Sequence, residues 1–234
     1  MVEAHFAGAD VSAIGSILDP LERWGNPFNP VVWGSGFIRD GGRWKGKDIR
    51  PVAVRGQLSR ERVSHMADTE PVLGDPGLLV RRLFPSLLSV RKRYRVSLIP
   101  HVSEVFDDVV QVARRQVPDL RIIDVRADPR LVLEEIAASE VVLSSSLHGL
   151  ICADAIDVPN QWTPLSGKLE GAGYKFRDYY SAFGLTPEPM AVFDALHEAE
   201  SLAGEWAPLQ GVDAILDDLV DAFPSQDLIS LYRR

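Results

Sequence analysis

The sequence predicts an α/β fold built on parallel strands, and three observations predict it. Short apolar, β-branched runs recur along the chain, each closed by Gly, Ser or Pro. Helix-length segments separate them, and strand–helix alternation is the pattern of parallel sheets with helical crossovers. The clearest unit, Val141 to Trp162, reads strand, turn, helix and second strand in one unbroken stretch, VVLSSSLHGLICADAIDVPNQW.

Composition fits that class. Of 234 residues, 46% are hydrophobic and 25% charged, an ordinary balance for a globular chain holding one large or two small α/β domains. The net charge of −8 argues against a nucleic-acid partner. It does not argue against a small anionic substrate, because local cations decide that. Cys152 is the single cysteine, lies in an apolar helical pattern and has no internal disulfide partner. It points to a reducing, cytoplasmic setting. Residues 1–10 lack the basic start and apolar stretch of a secretory leader. No run approaches the roughly 18–20 apolar residues that a spanning helix needs.

In chain order, Asp10 to Ile14 reads as a first buried strand. Val31 to Trp33 is a second, closed by Gly34-Ser35-Gly36, and Pro51 to Val54 a third, ending in Arg55-Gly56. Ser59 stands where it can cap a helix from Arg60 onward. Leu73-Gly74-Asp75-Pro76-Gly77 reads as a turn. Arg81 to Arg95, densest at Arg91-Lys92-Arg93, reads as a solvated basic connection. It sets a boundary between a first domain of residues 1–88 and a second of residues 89–234. Its charge allows at most a peripheral contact with an anionic membrane.

The second half repeats the rhythm more clearly. Arg95 to Ile99 is a strand ending in Pro100-His101, Val105 to Val117 is amphipathic, and Arg121 to Val125 is a strand. Pro129 to Ala138 is a helix with proline near its start, where the missing N–H costs nothing. Phe193 to Phe223 reads as two acidic amphipathic helices around Gly204 to Pro208. Ser225 to Leu231 reads as a final short helix, and a terminal helix is expected to return to the first domain.

Chemistry concentrates at the turn of the central unit. The serines before the helix can cap it through their hydroxyls, leaving its first N–H groups directed at the turn, an arrangement that suits an anionic group. His148 sits there beside Gly149, a residue without a side chain to keep a ligand from the backbone. The competing reading is an ordinary βα turn whose histidine packs or caps. His101 lies at a strand's carboxyl end, where open α/β sheets bind ligands, with a structural role equally open. His5, His65 and His197 are scattered and read as surface residues. No zinc-ligand spacing, Walker A loop or GxGxxG is present, so no metal is expected.

Four pieces in order give the chain a resemblance. Ser145-Ser146-Leu147-His148-Gly149-Leu150, Val52 to Ser59 with its Arg55, Leu73 to Gly77, and Gly173 to Tyr180 closed by Gly184-Leu185 together resemble the polysaccharide pyruvyl transferase family. The resemblance spans roughly Ile14 to Leu185. It implies a GT-B-like pair of Rossmann-type domains with parallel sheets. It also implies transfer of a pyruvyl group from phosphoenolpyruvate to two sugar hydroxyls, giving a cyclic ketal and phosphate, with no resident cofactor.

The acceptor implied is a glycan, with a lipid-linked exopolysaccharide or cell-wall repeat as its natural form. His148 becomes the acid–base group, since an imidazole with an ordinary pKa of about 6.5 can give and take protons near neutrality. Arg55 and Lys175 become the cations for the donor's carboxylate and phosphate. Ser146, Leu147 and Gly149 line the donor site, with His101 and Arg177 secondary. Lys168 holds the linear spacing, about twenty residues after the histidine, and Lys175 the local pattern, which is preferred.

The family's Asn-Trp/Phe-Gly-Asp segment has no counterpart before Asp10, so the first domain is expected to lack its first βα unit. Two other classes stay open. One is a nucleotide-sugar glycosyltransferase, with Asp178 or Asp194 as its ribose-binding acid. The other is a non-catalytic remnant that binds an anion or a partner.

Overall fold

Eight strands form two separate four-stranded sheets in the computed structural model, which describes residues 10–24 and 29–225. Every strand pair is parallel. The chain is therefore α/β and Rossmann-like in both of its compact units.

The first unit runs to Pro76 and then takes in Glu170–Thr186 and the chain from Gly211. Its strands β1 (Val11–Ser12), β2 (Val31–Trp33), β3 (Arg50–Val54) and β4 (Val72–Leu73) lie side by side in sequence order. Helices α1 (Leu18–Trp24) and α2 (Gln57–Val63) follow β1 and β3. Leu18, Leu21, Val32, Phe37, Trp44, Ile49, Val54 and Val63 make its core, with Tyr174 contributed from far along the chain. The Trp33 indole N–H donates to Leu219 O at 2.7 Å, which joins β2 to a late helix of the same unit.

The second unit comprises Gly77–Leu169 and Pro187–Gln210. It opens with the short α3 (Val80–Leu83) and continues through β5 (Tyr94–Ile99), α4 (Asp108–Gln116), β6 (Arg121–Ile122) and α5 (Pro129–Ala137). Then come β7 (Ser139–Ser144), α6 (Leu147–Ala155) and β8 (Asn160–Trp162). Val141, Val142 and Leu143 of β7 are each at most 1% exposed, so the run that looked apolar on both sides is a central strand covered on both faces. The Asp128 carboxylate accepts from the N–H groups of Arg130 and Leu131 and caps α5, with Pro129 at its first position.

Strand order in this unit is β6-β5-β7-β8. The chain moves outward from β5 to β6, then crosses back to the other side of β5. A reversal of this kind opens a crevice at the carboxyl ends of the two strands that flank it, here β5 and β7. The first unit's order contains no such reversal among the described residues.

Several elements differ from the sequence reading. The boundary falls at Pro76/Gly77 rather than near residue 88, because the basic stretch is partly helical and belongs wholly to the second unit. Arg81 within it is not a solvated charge but pairs with Asp157 at 2.7 Å. The strand at Arg121 stops at Ile122.

The lysine-bearing helix α7 (Tyr174–Ser181), expected in the second domain, belongs to the first unit. The acidic tail makes three helices, α8 (Val192–His197), α9 (Ala199–Glu205) and α10 (Val212–Asp221), and only α10 lies in the first unit. His65 and His197 are exposed. The expectations for His5, for the helix at 225–231 and for a first βα unit ahead of Asp10 lie outside the described residues. Among the described residues, no helix is long and apolar enough to cross a membrane.

Candidate functional site

The crevice between β5 and β7 collects most of the candidate residues. Ile99 and Ser144 are paired in register at the carboxyl ends of the two strands, so the loops that leave them start together. His101 begins one loop, and Ser146, Leu147 and His148 form the other.

A buried carboxylate ties these loops to each other. Glu104 is fully buried, and it accepts from the Ser145 hydroxyl at 2.6 Å and from the Ser166 hydroxyl. Ser145 Oγ in turn accepts from the His101 backbone N–H at 2.8 Å. Three loops, after β5, β7 and β8, thus meet on one side chain. Ser166 Oγ also accepts from the Lys168 N–H at 3.2 Å, and the Lys168 ammonium lies 2.7 Å from Asp107. That bond raises the Lys168 pKa above its ordinary value and keeps the side chain cationic.

The serines therefore do different work from the capping expected of them. Ser144 Oγ donates to Ile99 O at 3.0 Å and accepts from the Ser146 N–H at 3.0 Å, while Ser145 serves Glu104. Ser146 occupies the N-cap of α6 in an extended conformation without a side-chain capping bond. The N-terminal end of α6 is thus defined by the strand end and not by hydroxyl caps.

Gly149 has a packing reason as well. A Cβ there would stand 2.5 Å from Ser144 Oγ and 3.1 Å from Ile99 Cγ2. The glycine lets α6 lie against the ends of β5 and β7, which corrects the expectation that it clears space for a ligand. Leu147 is 3% exposed, while His148 is half-buried. His101 is half-buried too, and its Nδ1 lies 2.8 Å from Ser103 Oγ.

The other expected site residues lie in the first unit. Arg55 has no exposed surface. Its Nε donates to Asp178 Oδ2 at 2.9 Å, Nη1 to Ser16 Oγ at 3.0 Å, and Nη2 to Phe37 O. The strand-end guanidinium does grip a carboxylate, but that carboxylate is the chain's own. This corrects the expectation that Arg55 is presented to a donor.

Asp178 also accepts from the Ser59 N–H at 2.7 Å and the Ser59 hydroxyl at 2.6 Å. Ser59 is therefore inside the first turn of α2 and not its cap. Gln57 N–H donates to Ser181 Oγ at 2.8 Å, so α7 supplies the groups that close the start of α2. Gly36 and Gly56 make room, since a Cβ on Gly36 would lie 2.6 Å from Asp178 Oδ2 and one on Gly56 1.6 Å from Asp178 O.

Lys175 is 8% exposed, with its ammonium 5.3 Å from the Phe176 ring centre. Arg177 does not pair with the neighbouring Asp178 but donates to Ala172 O at 2.8 Å. In sum, the second unit brings together His101, Ser146, Leu147, His148, Gly149 and Lys168, and the first unit holds Arg55, Lys175 and Arg177. Sequence reasoning missed Glu104, because nothing local distinguishes a glutamate that three loops bury from one in a polar turn.

A parallel sheet carrying a histidine on the first turn of a helix at its topological switch point defines the class: an α/β protein with polar side chains gathered at the strand ends. Comparison with known proteins narrows this. The model of the family described as Polysaccharide pyruvyl transferase matches residues 14–160, more than half of the chain, and the chain belongs to that family. It is 33% identical over 171 residues to the Succinoglycan biosynthesis protein ExoV of Rhizobium meliloti (strain 1021), covering 69% of this chain and 50% of that one. It is 26% identical over 160 residues to the Uncharacterized protein L143 of Acanthamoeba polyphaga mimivirus, covering 68% and 55%. The chain spans about half the length of the curated relatives it matches.

Proposed function

We propose that the chain transfers the pyruvyl group of phosphoenolpyruvate onto two hydroxyls of a glycan, forming a cyclic ketal and releasing phosphate. The observation that carries this reading is His148, on the first turn of α6 at the switch point, within the stretch that matches the pyruvyl transferase family. The name of the Rhizobium relative suggests an exopolysaccharide repeat of the succinoglycan kind as acceptor, free or lipid-linked. A donor of this kind places the reaction in the cytoplasm.

The chemistry needs two things from the protein. Fixed positive potential must meet the donor's carboxylate and phosphate, and one group must move protons. The N-terminal end of α6 offers the first through its backbone dipoles. Lys168, with its side chain 65% exposed and its ammonium held by Asp107, offers a cation in the same unit. We assign to Lys168 the role expected of Lys175, because Lys168 shares a unit with His148 and is exposed, whereas Lys175 is 8% exposed.

His148 moves the protons. The enol methylene of the donor takes up one proton and becomes the methyl group, which leaves C2 electron-poor. One acceptor oxygen bonds to C2, and the second displaces phosphate from it. The two hydroxyl protons are balanced by the new methyl group and the departing phosphate.

The rival glycosyltransferase reading loses one of its two candidate acids, because Asp178 is committed to Arg55 and has no exposed surface. The test is thermal stability of the purified chain with phosphoenolpyruvate, alongside a panel of nucleotide sugars and a phosphate-release assay. A donor at about 100 times its dissociation constant should stabilise by about 2.7 kcal/mol. His148→Ala and Lys168→Ala should abolish transfer to a glycan. Stabilisation by a nucleotide sugar alone would replace this reading with the glycosyltransferase, and no response to any of them would overturn it.

A further inference from the structure

The loop that carries His101 is inside out. Its glutamate, Glu104, is fully buried, while Phe106 is 76% exposed and Val102 52%. Burial of apolar surface favours the opposite arrangement. The loop is held this way by the Ser145 and Ser166 hydroxyls on Glu104, which fix its backbone and leave Phe106 projecting. Phe106 is the most exposed large hydrophobic side chain among the described residues. It immediately precedes Asp107, the partner of Lys168.

The surroundings of the ring are polar and organised. Arg126 stands over it, with the guanidinium carbon 4.7 Å from the ring centre. Asp124 holds that guanidinium through bonds of 2.9 Å to Nε and 2.5 Å to Nη2. The same bonds push the Asp124 carboxyl down to about 2, so the pair stays ionised at any working pH. Phe106, Gln111, Arg114, Asp124 and Arg126 all line a cleft of about 350 Å³.

We propose that Phe106 is the stacking platform for a sugar ring of the acceptor glycan, with the Arg126–Asp124 fork and Gln111 holding its hydroxyls. The proposal deepens the pyruvyl transferase reading and rests on it. A pyranose presents a face of C–H bonds with partial positive charge, which the negative face of an aromatic ring attracts. Its rim of vicinal hydroxyls requires paired donors and acceptors, which planar guanidinium, carboxylate and amide groups supply. Arg126 covers one face of Phe106, and the remaining exposure is left for the sugar. The loop that carries Phe106 also carries His101 and follows β5, one of the two strands that flank the switch point.

The full chain and its Phe106→Ala and Phe106→Trp variants are titrated with a panel of pyranose oligosaccharides, including fragments of succinoglycan, and followed by saturation-transfer NMR. Phosphoenolpyruvate-induced stabilisation is measured on the same three proteins. Sugar binding should weaken about tenfold in F106A and persist in F106W, as loss of one aromatic contact implies. Donor stabilisation should be the same in all three, and in transfer assays F106A should raise acceptor KM and keep kcat. Sugar binding by F106A equal to wild type, or none by wild type, overturns the platform. Phe106-dependent sugar binding without any response to phosphoenolpyruvate keeps the platform and rejects the pyruvyl transfer reading instead.

Discussion

The Arg55 guanidinium and the Asp178 carboxylate lie 2.8 Å apart, and neither side chain reaches solvent. Taking both charges out of water costs several kcal/mol for each, offset by their attraction, by the bond from Ser59 to Asp178, and by the bonds from Arg55 to Ser16 Oγ and Phe37 O. Removing one partner leaves the other charge buried alone. We expect Arg55→Ala and Asp178→Ala each to lose about 3–5 kcal/mol in urea denaturation, and Arg55→Met with Asp178→Leu to lose much less. An unchanged urea midpoint in either single variant would show that the pair is not structural. His148→Ala should behave oppositely, losing transfer with its melting temperature kept, because the imidazole is half-buried in a turn. On this expectation, inactivity in Arg55 variants comes with a lowered urea midpoint, whereas inactivity in His148 variants comes without one. The sequence showed that Arg55 sits where a carboxylate can be gripped. It could not show which carboxylate, because the partner is 123 residues away and no local pattern links them.

Elements closed by local signals were legible, and those closed from a distance were not. Val31–Trp33 was readable to the residue because a short apolar run meets three small residues. The start of α2 was misplaced by three residues, because its first N–H groups are satisfied by Asp178 and Ser181 of α7. The turn before α6 was readable as strand, turn and helix, yet its serines were misassigned, since Glu104 lies 41 residues from Ser145. Gly149 provides the test at this scale. Alanine there would press on Ser144 Oγ and on the Ile99 side chain, contacts that neither strand end can relieve without moving. Overpacking of this kind costs about 1–3 kcal/mol. We expect Gly149→Ala to fall in that range by thermal unfolding and to lose transfer almost completely, because α6 shifts and carries His148 with it. Full activity in that variant would mean that the position of α6 on β5 and β7 does not set the site.

The two units differ in how the chain builds them. The second is assembled from two runs of chain, whereas the first needs three, the last two arriving only after residue 169. Sequence reading placed a single boundary because local patterns carry no information about which late helix fills which core. Tyr174 of α7 is such a late arrival, and burial in the first core pushes its phenol up to about 12. An unfolded phenol ionises near 10, so the folded state is the one that holds the proton more tightly. This contribution is intact below about pH 10 and is lost as pH rises towards 12. Tyr174→Phe should remove that alkaline component from the stability profile, and an unchanged alkaline slope would place the phenol in solvent. The same assembly makes a stronger claim about fragments. Residues 1–88 expressed alone contain all four strands of the first sheet but neither α7 nor α10. Arg55 would then be buried without Asp178, α2 would start without its closing groups, and the Trp33 indole would lose Leu219 O. The loss of the buried pair alone approaches the whole stability of a small domain. We expect this fragment to show no cooperative unfolding transition by circular dichroism. The same fragment mixed with residues 170–234 should recover one, because those residues return both helices. A cooperative transition from residues 1–88 alone would mean that the late segments decorate the first unit and do not complete it.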